Sequence, residues 1–307
     1  MGGQSFLEIL ASLETQDNMT RAPSMKDNFI IWLLQNFSVL GIVVLSQIIF
    51  SRHSNAESTR IKPDVLEKYS GQHEEAFVAD SKRVLELMKY VLERIGETLG
   101  FQGYQEGFNY PFTIRFTDGS AAPIPNVGAY TYFKSDQMGV MAQEMVLDLD
   151  VLTAYPQDFD REFIHELTHA VVHDDLGSKS RNLTPWFDEG VAIYVAGDGE
   201  SWVEHALRRA HLKPEPVLTD LDGPQQSTRY PQYFLAIQAL LEKVGQEGLK
   251  KIIQRIFEGR TPEEAIQDVS GLSWDAFQVQ VHSYSLRKLN EMKTLILKAQ
   301  ESETKGL

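Results

Sequence analysis

The chain contains no cysteine. Disulfides, thiolate metal sites, cysteine nucleophiles and cysteine-linked lipid anchors are therefore excluded, while the redox compartment is left open. Any metal must be held by histidine and carboxylate. Positive charge is scarce: 29 Lys and Arg stand against 43 Asp and Glu, a formal charge of -14. That balance disfavours phosphate backbones and anionic membrane surfaces, so nucleic acid is not expected as a partner. Internal repeats and low-complexity tracts are also lacking. What is present, 307 residues with 42% hydrophobic content, suffices for one large domain or two small ones with a proper core.

Residues 1–60 differ from the rest. Phe29 to Phe50 runs 22 residues without a charge, long enough at about 1.5 Å per residue to cross a hydrocarbon layer of roughly 30 Å. A membrane span or an export signal is expected there, although Gln35, Asn36, Ser38, Ser46 and Gln47 interrupt it and leave a buried core helix open. Met25-Lys26 supplies a basic start and Ser54-Asn55-Ala56 a small-x-small cleavage site. Anchored or cleaved, the folded part is expected outside the cytoplasm. The lysines and arginines flanking the run are too evenly divided to fix its orientation. The expected organisation is residues 1–60 as hydrophobic segment and linker, 61–290 as the folded domain, and 291–307 as a frayed helical tail.

Within the domain, Val84, Met88, Val91, Leu92, Ile95 and Leu99 recur at helical spacing before Gly100, which predicts an amphipathic helix with a glycine stop. The period then shortens. FTIRF from Phe112, GAYTYF from Gly128 and MVLDL from Met145 predict a small sheet of at least three strands. After Asp158 the pattern is helical nearly to the end, with breaks at 177–185, 213–231 and 259–262. Strands followed by helices predict an α+β fold, a small sheet lobe and then a helical lobe.

The chemistry-bearing signal is His165-Glu166-Leu167-Thr168-His169, inside the helical run FDREFIHELTHAVVH. Imidazoles four residues apart project from one helix face and can bind a single metal ion. Glu166, between them, is placed to take a proton from metal-bound water, whose pKa the ion lowers, and to pass it to the leaving group. A catalytic zinc site needs a third protein ligand and an open position for water. Glu189 fits this need: Thr184 can cap a helix, Pro185 takes its favoured first position, Glu189 falls in the second turn, and Gly197 ends it. Gly190 inside this helix is tolerable if its missing side chain lets two helices approach. Glu189 reads equally well as a solvated helix carboxylate. Asp175 is a rival third ligand, but it needs a turn where β-branched Val172 stands. His173 follows His169 on the same face, and three turns of one straight helix cannot wrap a tetrahedral ion, so it reads as an outer histidine.

HELTH followed by WFDEGVAIY resembles the gluzincin superfamily, in particular its small bacterial peptidase-like domains, whose zinc ligands are two histidines and a glutamate on a following helix. The resemblance covers roughly Pro63 to Asn290, with specific motifs only between 165 and 194. It implies a zincin-like fold with the metal on the central HExxH helix, one Zn2+ per chain held by His165, His169 and Glu189, and hydrolysis of a peptide or protein substrate. A tyrosine that stabilises the oxyanion is implied as well. Tyr230, before Pro231, matches best, and Tyr233 is its substitute. The Gly-Ala-Met-Glu-Asn element of the aminopeptidase branch is absent, Glu144 being its nearest echo, so aminopeptidase specificity is not implied. In zincins an edge strand before the metal helix takes up extended substrate, and Gly139 to Leu149 is the segment so placed. Two other readings stay open: a non-catalytic module binding peptides or proteins, and a metal hydrolase with a non-peptide substrate.

Overall fold

A computed structural model describes residues 62, 64–65, 73–101, 107–118, 127–136, 139–218, 220–222 and 227–305. The uncharged run 29–50 and its candidate cleavage site lie outside them. All described residues fall in the unit Arg60–Leu307, and no helix among them is long and apolar enough to cross a membrane.

The chain begins with a two-residue strand β1 (Asp64–Val65) and helix α1 (Glu74–Leu99). Val84, Met88, Val91, Leu92, Ile95 and Leu99 are all buried, one stripe at the 3.6 period, while Leu85 and Tyr90 face solvent. Gly100 ends the helix at φ 86°, a left-handed conformation that costs glycine little.

Three longer strands follow: β2 (Phe112–Thr117), β3 (Ala129–Asp136) and β4 (Gly139–Asp148). With β1 they form a mixed sheet in the order β1-β2-β4-β3, β2 and β4 parallel and β3 and β4 antiparallel. Phe112, Ile114 and Phe116 point inward from β2. The expectation that Gly139 to Leu149 forms an edge is overturned, because β4 is paired on both sides, and among the described residues β3 is an outer strand of the sheet. Met145, Val146 and Leu147 are consecutive buried residues, as a strand covered on both faces requires. The strand also stops earlier than expected: the Asp148 side chain accepts the Asp150 amide at 3.0 Å and caps helix α2 (Leu149–Ala154).

The remainder is helical: α3 (Phe159–Leu176), α4 (Pro185–Ala196), α5 (Gly199–Arg209), α6 (Tyr230–Phe257), α7 (Pro262–Ser270) and α8 (Trp274–Lys305), with short 3-10 turns between them. The class is α+β. Helix α3 packs on β3, β4 and α1, and on α4 at its other side; α6 gathers α4, α5, α7 and α8 around itself. A buried carboxylate docks α3 to the sheet. Asp174 accepts the Asn109 and Tyr110 amides at 2.8 and 3.0 Å and the Gln143 side-chain amide at 3.0 Å. Helix α6 is interrupted at Gly245 (φ 68°, ψ 179°), where the sequence pattern ends the apolar stripe, and then resumes. Helix α8 passes 290 unbroken and reaches Lys305 with Ile296 buried, so the segment expected as a frayed tail is its continuation.

Candidate metal centre

Helix α3 is anchored by Phe163, Ile164, Leu167, Ala170 and Val171, all buried. That fixes its opposite face, which carries His165 and His169 one turn apart with ring centroids 4.8 Å apart. Helix α4 begins with Thr184 in extended conformation and Pro185 in the first turn, and ends at Gly197 with φ 81°; the Thr184 hydroxyl makes no capping bond. Trp186 on α4 packs against Trp274 and Phe277 of α8. The Gly190 close approach exists, but its partner is α6 rather than α3. A Cβ there would stand 2.7 Å from the Tyr233 carbonyl oxygen.

This packing delivers Glu189, 5% exposed, to the two imidazoles. Its Oε2 lies 3.3 Å from His165 Nε2 and 3.7 Å from His169 Nε2, and the two Nε2 atoms are 3.1 Å apart. A tetrahedral ion bonded at about 2.0–2.1 Å holds its ligand atoms about 3.3–3.4 Å apart. Two imidazole nitrogens and one carboxylate oxygen at these separations fit one such ion. Burial pulls Glu189 upward, but the two imidazoles outweigh it and hold the carboxyl at about 2. Burial likewise opposes charge on His165 and His169, and the neighbouring carboxylates, Glu189 for both and Asp188 for His169, overcome it and raise both.

Comparison with protein-family models, with curated proteins and with solved structures gives no match. The chemistry of this centre is therefore read from its own side chains.

A cleft of about 480 Å³ opens beside the cluster, lined among others by His165, Glu166, Trp202 and Tyr230. Glu166 is half-buried there, and its backbone carbonyl accepts the Thr131 hydroxyl of β3 at 3.2 Å. Tyr230 stacks 6.3 Å from the His165 ring and edge-on to Trp202 at 5.5 Å. Although a proline follows it, Tyr230 is helical. Tyr230 opens α6, and Pro231 sits in its first turn, where a missing amide proton costs nothing. Tyr233 is fully buried beneath, with burial pushing its hydroxyl up. Tyr230 thus faces the cleft and Tyr233 the core.

Asp188 was passed over by the sequence reading. Its carboxylate accepts from His169 Nδ1 at 3.0 Å and from His173 Nε2 at 2.9 Å. A carboxylate only accepts, so His169 must carry a proton on Nδ1, and its Nε2 then presents a lone pair toward His165 and Glu189. Burial would raise Asp188, but the two imidazoles dominate and hold it far below the usual carboxylate range. The signal was adjacency: Asp188 stands next to Glu189 in the same turn of α4. His173 is the outer histidine expected, stacked 4.0 Å from the Phe133 ring. Asp175 is exposed and accepts from Asn109 at 3.3 Å, away from the cluster. Glu144 is taken by Arg115 at 2.7 Å on β4.

Proposed function

We propose that the chain is a zinc-dependent metallopeptidase of zincin-like architecture. The observation that carries this reading is the convergence of His165 Nε2, His169 Nε2 and Glu189 Oε2 within 3.7 Å of one another beside an open cleft. When bound, zinc supplies Lewis acidity: it polarises the scissile carbonyl and lowers the pKa of water. Glu166 accepts the proton of the attacking water as its oxygen adds to the carbonyl carbon, then delivers that proton to the departing amide nitrogen. Tyr230, at the cleft wall, donates its phenolic hydrogen to the oxyanion that forms when water adds. Asp188 keeps His169 in the tautomer that binds metal. Among the described residues β3 pairs on one side alone, and Thr131 ties it to the carbonyl of Glu166. An extended peptide adding to that edge lies along the cleft, which makes β3 rather than β4 the substrate strand. The uncharged run 29–50 supports an anchored or exported enzyme working outside the cytoplasm.

The test begins with elemental analysis of the purified full-length chain. About one zinc per chain is expected at this centre, lost in His169→Ala and in Glu189→Ala. Glu166→Gln should keep the metal and lose peptide hydrolysis by about 10²–10⁴-fold in a peptide-library assay. A parent whose His165–His169–Glu189 centre takes up no zinc even on reconstitution sinks the reading.

A further inference from the structure

The cleft beside the His165–His169–Glu189 centre carries charge that water activation does not use. Glu162 stands four residues before Glu166 on α3, so the two carboxylates share one helix face, about 6 Å apart along its axis. Glu162 lines both the cleft of about 480 Å³ and an adjoining hollow of about 320 Å³, as do Asp158, Arg161, Asp198 and Trp202. Arg161 is taken up by an ion pair with Asp158. Glu162 makes no ion pair or side-chain hydrogen bond among the described residues. Asp198 is fixed in the wall by Trp202, whose indole Nε1 donates to its Oδ2 at 2.7 Å, while its buried Oδ1 has no hydrogen-bond partner among the described residues. Trp202 meets Tyr230 edge-on at 5.5 Å, and Tyr230 stacks 6.3 Å from the His165 ring, which sets this wall beside the metal ligands.

Carboxylates alone make no site. Here the cavity at the metal ligands is the site, and its remaining walls say what kind of side chain it takes. Val151 and Leu152 of α2 give it apolar surface, and Trp202 and Tyr230 give it aromatic rings. A long cationic side chain suits all three surfaces: its methylene stem lies on apolar groups, its charge is attracted to an aromatic face, and its N–H groups donate to carboxylate oxygens. An acidic side chain in the same place is repelled by Glu162, Asp198 and Glu166. An apolar one excludes water from Glu162 and Asp198 without giving either a partner, which costs free energy.

We propose that Glu162 and Asp198 make the cleft selective for peptides that carry a lysine or arginine close to the bond that is cut. The inference rests on the peptidase reading and deepens it by naming a basic peptide as the substrate class. The helix turn from Glu166 to Glu162 is about as long as two residues of extended chain, so the cationic side chain belongs within about two residues of the scissile bond. Glu162 and Asp198 act on which substrate is held, and Glu166 on the water.

The full-length chain, loaded with zinc, is given a random peptide library, and the new ends are read by mass spectrometry. Within about two residues of the cut bonds, lysine and arginine should exceed aspartate and glutamate at least about tenfold, and added salt should shrink that ratio. Glu162→Gln and Asp198→Asn should bring the ratio towards one. Glu93→Gln, the same loss of charge at an exposed position of α1, should leave it unchanged and so separates the cleft from the chain's overall negative charge. If Asp198→Asn fails to fold by circular dichroism, Glu162→Gln alone decides. Cleavage with no basic preference, or with a preference that Glu162→Gln leaves intact, overturns the proposal while the peptidase reading stands. If nothing is cleaved, fluorescence anisotropy of labelled Ala-Ala-Lys-Ala-Ala and Ala-Ala-Glu-Ala-Ala on the Glu166→Gln chain takes over. Tighter binding of the lysine peptide, lost on adding Glu162→Gln, upholds the cleft's selectivity and sinks hydrolysis; equal binding of the two peptides sinks both.

Discussion

His169 uses both ring nitrogens: Nε2 lies 3.1 Å from His165 Nε2, and Nδ1 lies 3.0 Å from Asp188 Oδ1. Only the first was legible in the sequence, because the four-residue spacing of His165 and His169 is a local property of any helix. Asp188 faces His169 only because α4 packs across α3 at one angle. Replacing it with asparagine preserves size and removes the charge that selects the Nδ1 proton. Asp188→Asn should therefore weaken zinc binding about 10–100-fold while the circular dichroism spectrum stays unchanged. Competition with a chromophoric chelator measures this, and unaltered affinity would remove Asp188 from its positioning role. The choice between Tyr230 and Tyr233 has the same character. They are three residues apart on α6, and which one meets the cleft depends on how that helix is rotated.

At the scale of elements, the helix carrying Glu189 is held by its contact with α6. A Cβ at Gly190 would meet the Tyr233 carbonyl oxygen at 2.7 Å and Ile237 Cγ1 at 2.9 Å, and a backbone carbonyl in a helix yields little. Alanine gains about 1 kcal/mol in helix propensity over glycine, but overpacking a tight interface costs about 1–3 kcal/mol. Gly190→Ala is thus expected to be net destabilising in urea unfolding and to weaken zinc binding as Glu189 is displaced. A more stable variant with unchanged zinc affinity would show that α4 and α6 can part without disturbing the centre. The glycine stops and proline starts of these helices were readable beforehand, since Gly100, Pro185, Gly197 and Pro262 act on their own backbone, whereas the cap expected of Thr184 is not made. Strand order was not: β4 looked like an edge until its partners on both sides were known.

For the whole molecule, the proposed ligands come from both α3 and α4, so metal binding there would be a source of folding free energy. An ion that binds only the folded chain at about 100 times its Kd adds about 2.7 kcal/mol, which for a domain of this size is a rise of about 5–10 °C in midpoint. Removing metal with a chelator should lower the midpoint by that amount in the parent and by much less in Glu189→Ala. Equal losses in both would place the stabilising ion elsewhere. The sequence by itself determined what acts over one helix turn or one turn of chain: the α+β class, the glycine and proline boundaries of the helices, the paired imidazoles with Glu166 between them, and a lack of thiols that leaves histidine and carboxylate as candidate ligands. Tertiary structure alone decided which carboxylates meet them, which tyrosine lines the cleft, that β4 is paired on both sides, and that His73 and Asp118 come together with Asp150. The reason is physical. Propensity, capping and periodicity are short-range, whereas helix rotation, strand order and contacts between distant segments are set by how the whole core packs.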